Sequence, residues 1–249
     1  MGTTRPPVGL QTIVFGKQYR ITDPAVMDHV AQCGYEAVEC AANDPAALKR
    51  MLDERGLRYG GLHVTVAKLE DPSPIIDTLG ELDAHDVCNS GLYTWENPGT
   101  DDYKRAIDTF NAAGRRLREA GIHLHYHNHA FEFEMVDGER TGMDLLLEGL
   151  DPDAADLCVD VGWVTKAGLD PVAFLREHNA MAGYLHLKDF KGDDWAELGD
   201  GEVNIKGVVE LLPELTAVRW VMVEQDSTQI DPLESVAISR RYLKEQCKY

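Results

Sequence analysis

Eight short β-rich runs recur along the 249-residue chain, each followed by a longer stretch of helical patterning, and this alternation restricts the fold more than any other feature. The runs are VGLQTIV (8–14), YEAVEC (35–40), RYGGLHVTV (58–66), HDVCNSGLY (85–93), IHLHYHNH (122–129), ADLCVDV (155–161), GYLHLKD (183–189) and RWVMVEQ (219–225). Between them lie amphipathic segments such as DPAVMDHVAQCG and DDYKRAIDTFNAAGRRLREAG, which open on Asp and close on Gly as helices do. Repeated βα units imply an α/β fold with a parallel sheet. Eight such units in a chain of this length match a single (β/α)8 TIM barrel, typically about 250 residues. No linker or repeat splits the chain, so one domain over residues 1–249 is expected. An open doubly wound sheet is the competing fold, but no G-x-G-x-x-G follows the first run.

Charge narrows the partners. Lys and Arg total 24 against 43 Asp and Glu, a formal charge of −19, which repels phosphate backbones and anionic membranes. No nucleic acid or membrane partner is therefore expected, and a homodimer is compatible with the composition. The five cysteines are odd in number and lack a C-x-x-C spacing, which suits a reducing compartment. The opening MGTTRPPVGLQ lacks the basic-then-apolar order of a secretory signal, and no apolar run approaches the roughly 18 residues of a membrane span. The expected location is cytoplasmic.

In a barrel of this kind the chemistry sits where strands end, on the loops that follow them. Here those ends are polar and ionisable. The first offers Gln11, the second Glu39, the third His63, and the fourth leads into YTWENPG with Trp95. The fifth carries His123, His125, His127 and His129, which alternation places on one face, while Ile122, Leu124 and Tyr126 face the helices. The deeper His123 and His125 read as core polar groups. The sixth ends on Asp160, the seventh carries His186 and Lys188 on a shared face, and the eighth ends on Glu224.

His127, Asp160, His186 and Glu224 lie 33, 26 and 38 residues apart, each step close to one βα unit, so their side chains should converge from strands five to eight. Taken singly, Asp160 also suits a helix cap and His186 a core histidine. Glu224 follows VMV with no basic residue beside it in the chain, and burying it without a cation would be costly. Mixed imidazole and carboxylate ligands suit Mn²⁺ first, with Zn²⁺, Co²⁺, Fe²⁺ or Mg²⁺ also admissible, in preference to Ca²⁺. Either His127 or His129 could be the strand-five ligand.

The series YHNHAFEFE, CVDVGWV, YLHLKDF, LGDGEVN and VMVEQD, with the C-terminal ESVAISRRYLK, resembles the sugar phosphate isomerase/epimerase superfamily. That group of xylose isomerase-like TIM barrels includes inosose dehydratase and ketose 3-epimerases. The resemblance covers essentially the whole chain. It implies a divalent metal held by Glu, Asp, His and Glu from strands five to eight, which correspond here to His127, Asp160, His186 and Glu224. The sequence departs from the pattern at His127, where many members have Glu, and at Trp163, where many have His.

In the epimerases of that group the strand-five and strand-eight glutamates pass a proton across the carbon beside a carbonyl, through a metal-stabilised enediolate. The resemblance thus implies Glu224 as one base, with His127 or His129 if free, Glu132 or Lys188 as the other. Histidine, titrating near about 6.5, is suited to the task. A neutral His ligand also leaves the metal a stronger Lewis acid. The loops DFKGDDWAELGDGEVN and QDSTQIDP are acidic, so a neutral sugar, keto-sugar or cyclitol is expected. Glu39, His63 and Glu132 are candidates to hydrogen-bond it, and Trp95, Trp163 and Trp195 to pack on its ring. The leading reading is a metal-dependent isomerase or epimerase. A lyase of the inosose dehydratase type is the alternative, which the missing strand-five Glu favours, and an endonuclease IV-like nuclease conflicts with the charge.

Overall fold

The computed structural model describes residues 5–249; Met1–Thr4, the start of the segment expected to lack a secretory signal, lie outside the described residues. Ten strands follow in chain order: β1 (Val8–Gln11), β2 (Ala37–Glu39), β3 (Arg58–Val64), β4 (Asp86–Ser90), β5 (His123–His127), β6 (Ala155–Asp160), β7 (Ala182–Leu187), β8 (Asp189–Lys191), β9 (Asp194–Ala196) and β10 (Trp220–Val223). Strands β1 to β7 and β10 are all parallel and close a barrel, with β10 pairing back to β1. The α-helices are α1 (Pro24–Cys33), α2 (Pro45–Asp53), α3 (Val66–Leu69), α4 (Ser73–Leu82), α5 (Thr100–Glu119), α6 (Gly142–Gly149), α7 (Val161–Lys166), α8 (Pro171–Glu177), α9 (Ile205–Leu211) and α10 (Pro232–Glu245). Four of them, α1, α2, α8 and α10, start at an Asp-Pro pair: the Asp carboxylate accepts from the first-turn backbone, and Pro occupies a position with no N–H to leave unpaired. Among the described residues no helix is long and apolar enough to cross a membrane.

Several strands are shorter than their sequence patterns suggest, because side chains or glycine end the pairing. The first stops at Gln11, whose side chain accepts from the Ile13 amide at 2.5 Å and turns the chain into a 3-10 helix (Thr12–Phe15). The fourth stops before Gly91, whose φ of +74° only glycine adopts freely. The fifth ends at His127, so His129 stands on the following loop and not on the strand. The seventh ends at Leu187, and the acidic loop beyond it folds into an antiparallel hairpin of β8 and β9.

That hairpin is organised by one carboxylate. Asp189, fully buried, accepts backbone N–H groups from Phe190, Gly199, Gly201 and Val203 at 2.9–3.2 Å. Gly201 must be glycine for this: a Cβ there would lie 2.1 Å from an Asp189 oxygen and 2.4 Å from the Phe190 carbonyl. The GDG of LGDGEVN is thus the receptacle for the Asp of HLKD.

Outward faces of the strands pack on the helices, as where Tyr126 meets Phe110 of α5 with ring centroids 5.3 Å apart. Inside, alternation stacks the inward side chains in columns: Asp86, Cys88 and Ser90 on β4, Asp156, Cys158 and Asp160 on β6, and Trp220 and Met222 followed by Glu224 on β10. The lowest tier is ionic. Asp86 accepts from Arg219 Nε at 2.5 Å, Trp220 Nε1 at 3.0 Å and His125 Nε2 at 3.1 Å, and the other nitrogen of His125 bonds Asp156. His125 is therefore the core polar group expected of it, whereas His123 stands half-buried beside Arg118 at 2.7 Å. An apolar tier of Ala37, Cys88, Cys158, Tyr184, Trp220 and Met222 lies above.

Burial alone would raise the Asp86 carboxyl, but the bonds and charge of His125 and Arg219 outweigh it and bring it down to about 2. A depressed folded-state value adds stability that is complete above the unfolded value of about 3.9 and is lost as pH falls through the folded one. Removing Asp86 would leave Arg219 Nε, His125 Nε2 and Trp220 Nε1 without their partner in the barrel floor. Asp86→Ala is expected to lower unfolding free energy by about 3–5 kcal/mol, read by denaturant titration. Between pH 4 and pH 2 the native protein should lose about 2 kcal/mol more than Asp86→Asn does; superimposable acid limbs for the two would refute the assignment.

Candidate metal centre

At the C-terminal mouth of the barrel, His127 from the end of β5, Asp160 from β6, His186 from β7 and Glu224 just after β10 bring one donor atom each to within 4.8 Å of one another. All four side chains are buried. His127 Nε2 lies 3.4 Å from both Asp160 Oδ2 and Glu224 Oε2, and His186 Nδ1 faces the same Glu224 oxygen. These four atoms, His127 Nε2, Asp160 Oδ2, His186 Nδ1 and Glu224 Oε2, are buried without a hydrogen-bond partner. Orphaned buried polar atoms are rare and costly, and here they point at one another.

The other polar atom of each side chain is engaged. Asp160 Oδ1 caps α7 by accepting from the Trp163 amide at 3.0 Å. Glu224 Oε1 accepts from Lys188 Nζ at 3.2 Å, His186 Nε2 donates to Glu39 Oε2 at 2.9 Å, and His127 Nδ1 lies 3.3 Å from Ser90 Oγ. Burial opposes charge on all four, yet the local partners prevail: Lys188 and His186 hold Glu224 well below the usual carboxylate range, Lys188 and His127 lower Asp160, and Glu39 and Glu224 raise His186 well above an ordinary histidine. Two carboxylates and two imidazoles that converge on one point are a donor set that fits a divalent transition metal.

Lys188 is buried between the strand that carries His186 and the hairpin. Its ammonium bonds Asp226 at 2.9 Å as well as Glu224, lies 3.6 Å from Asp160 Oδ2, and stands over the rings of Trp195 at 4.5 Å and Trp163 at 5.2 Å. Those two indoles meet edge to face at 4.8 Å, and Lys166 of α7 approaches Trp195 at 4.9 Å. Gly162 makes room for this arrangement, since a Cβ there would meet the Lys188 backbone oxygen and Cβ at 2.9 Å. His129 stands 5.5 Å from both Trp163 and Trp95, with its Nδ1 buried and unpartnered. Trp95 is half exposed at the rim.

Two residues expected to meet substrate lie in buried networks instead. Glu39 is wholly inaccessible, and its two oxygens are taken by His63 at 2.7 Å and by His186 and Tyr184 at 2.9 Å each. Glu132 is equally buried, accepting from the Tyr126 hydroxyl and from the His129 amide at 2.7 Å each. It fixes the backbone of His129 and has no free oxygen face for substrate or for a proton. His63, also a candidate for substrate, is partly exposed but has both nitrogens engaged, on Glu39 and Ser90.

Sequence reasoning passed over Ser90, Asn128, Tyr184 and Asp226. Asn128 faces away from the barrel interior, yet it is buried and clamps the Asp160 backbone by accepting from its amide at 3.0 Å. A polar residue on the helix-facing side of a strand was the available signal. Tyr184 shares the inward face of β7 with His186, which alternation alone could have flagged.

The sequence profile of the xylose isomerase-like TIM barrel family matches residues 27–246. The chain is similar to an inosose dehydratase of Lacticaseibacillus casei, 24% identical with 90% of this chain and 89% of that one covered. It is also similar to the inosose dehydratase of Clostridium tetani (strain Massachusetts / E88), 27% identical over 59% of this chain but spanning only 55% of that relative. Among solved structures, a sugar phosphate isomerase/epimerase from Parabacteroides distasonis ATCC 8503 superimposes with a TM-score of 0.84 at 26% identity, covering 97% of this chain and 94% of that one.

If the four converging atoms hold a cation, Asp160→Ala and Glu224→Ala should each weaken binding at least about tenfold. Elemental analysis after dialysis against trace metal would show the loss. Full metal content in both variants would place the centre elsewhere.

Proposed function

The chain belongs to the xylose isomerase-like TIM barrel family, and from that premise we propose that it is a divalent-metal-dependent lyase of the dehydratase type. Its substrate on this reading is a neutral keto-sugar or keto-cyclitol, from which it removes the proton beside the carbonyl and expels the hydroxyl at the next carbon. One observation carries the choice of outcome. Epimerisation needs two bases flanking one carbon, and the strand-five side offers no free carboxylate: His127 joins the metal-facing quartet and Glu132 is sealed beneath His129. Across the mouth, His63 has both nitrogens engaged. The groups left for proton transfer, His129 and Lys188, both border Trp163.

Elimination needs a base and an acid on neighbouring atoms, and two groups on one side supply that pairing. A divalent cation in the quartet, Mn²⁺ being the first candidate, supplies Lewis acidity towards a carbonyl or hydroxyl oxygen. His129, partly exposed beside Trp163, takes the proton from the carbon beside the carbonyl. Burial works against its charge, but Glu224, Asp160 and Asp226 push the Lys188 ammonium up, so it stays protonated at neutral pH. It delivers a proton to the departing hydroxyl, which leaves as water while the C–H electron pair becomes the new double bond. Glu224, with Oε1 on Lys188 and Oε2 in the quartet, holds the metal and positions the acid.

The paired indoles of Trp163 and Trp195 offer an apolar wall for a ring, with Trp95 at the rim. Lys166, at the end of α7, and Lys188 already lie against aromatic rings, and Lys188 is paired with Glu224 and Asp226, which supports a neutral substrate over a phosphorylated one. The similarity to dehydratases over nine-tenths of the chain supports the same outcome. The likeness to the Parabacteroides isomerase/epimerase makes proton return to the same carbon the second reading.

Incubating the Mn²⁺-loaded protein with free ketoses and keto-cyclitols in D₂O separates the two. Loss of water from the product is expected; deuterium uptake with mass otherwise conserved would establish the epimerase instead. Lys188→Met should lower kcat about 10²–10⁴-fold, with bound metal measured alongside. A marked preference for a phosphorylated substrate would contradict the neutral-substrate reading.

A further inference from the structure

The two imidazoles of the quartet present different nitrogens, and one buried carboxylate accounts for both. His186 turns Nδ1 inward because its Nε2–H donates to Glu39 Oε2 at 2.9 Å. The second oxygen of Glu39 accepts from His63 Nδ1–H at 2.7 Å. In a neutral His63 that leaves Nε2 as an acceptor, and its partner is the Ser90 hydroxyl, which must then donate. With its proton directed to His63, Ser90 Oγ offers a lone pair to His127 Nδ1–H at 3.3 Å. His127 Nε2 is left bare, facing Asp160 and Glu224. With His63 neutral, the bonds run in one direction, from His127 through Ser90 and His63 to Glu39.

We propose that Glu39 is a positioning residue that sets the tautomer of both histidine ligands, His186 directly and His127 through a His63–Ser90 relay. The proposal rests on the metal centre described above. It also explains how histidine can serve at the strand-five position. A glutamate there exposes oxygen lone pairs whatever surrounds it, whereas a neutral histidine exposes one only if its other nitrogen keeps the proton. Ser90 is level with His127 in the β4–β5 register, and His63 stands one strand further round the barrel. Each relay member therefore comes from a neighbouring strand. Tyr184 completes the anchor by donating to Glu39 Oε2 at 2.9 Å. No member of the relay needs to touch substrate for this role.

The test uses the diamagnetic ion Zn²⁺, calorimetric titration, and nitrogen-15 spectra of histidine-labelled full-length protein, none of which depends on turnover. In the native protein His127 should bind zinc through Nε2 and His186 through Nδ1. Ser90→Ala should weaken zinc binding about tenfold or more and leave His127 in mixed tautomers with His186 unchanged, while Ser90→Thr, which keeps the hydroxyl, should restore both readouts. Glu39→Gln should disturb both histidines. If that variant does not fold, the Ser90 pair decides the matter alone. Native zinc affinity and an unaltered His127 signal in Ser90→Ala would overturn the relay while leaving the centre intact. Failure of the native protein to bind zinc or manganese would sink the centre and the relay together.

Discussion

Each of the four converging donor atoms in this barrel depends on a hydrogen bond made at the other end of its own side chain. A carboxylate has two oxygens and an imidazole two nitrogens, and in all four residues of the quartet the outer atom is engaged: by a helix amide for Asp160, by Lys188 for Glu224, by Glu39 for His186 and by Ser90 for His127. Those outer bonds hold four otherwise unpartnered polar atoms close together in a buried place, where without them the side chains would turn to find partners. Barrel closure makes the outer shell available. Glu39 on β2 reaches His186 on β7 only because β1 and β10 join the two ends of the sheet.

The same closure separates three environments along one set of strands. At the floor, His125 and Arg219 neutralise Asp86 and Asp156 in pairs that serve stability. Above it, sulfur and aromatic side chains fill the narrow interior. At the mouth the charges are left with vacant faces, and an aromatic wall is built from outside the barrel. That wall exists because Asp189 gathers four amides and folds the β8–β9 hairpin back over Lys188, so that Trp195 meets Trp163. The chemistry of the mouth is therefore held by a buried carboxylate on each side: Glu39 beneath the imidazoles, Asp189 beneath the indoles.

Histidine at position 127 changes more than one ligand. Compared with a glutamate it removes one negative charge from the centre and one candidate base from the strand-five side. With Glu132 sealed under His129, the proposed proton transfer falls to His129 and Lys188, which border Trp163. That redistribution is the physical basis for proposing elimination in place of epimerisation, and it follows from where two side chains are buried.

The sequence by itself determined the repeating βα architecture and the four residues that converge. Alternation along a strand and the length of a βα unit are local properties, so inward columns and strand ends can be read without knowing what lies opposite. His127, Asp160, His186 and Glu224 were legible for that reason. Only the tertiary structure decided what the remaining polar residues do. Glu39, Glu132 and His63 sit at positions that the pattern assigns to substrate, yet their oxygens and nitrogens are claimed by Tyr184, Tyr126, Ser90 and the ligands themselves. Those partners lie up to 147 residues away along the chain, brought near by strand register and barrel closure. A hydrogen bond between distant strands leaves no periodic trace in the sequence, and it is such bonds that assign each nitrogen and oxygen of the site to its role.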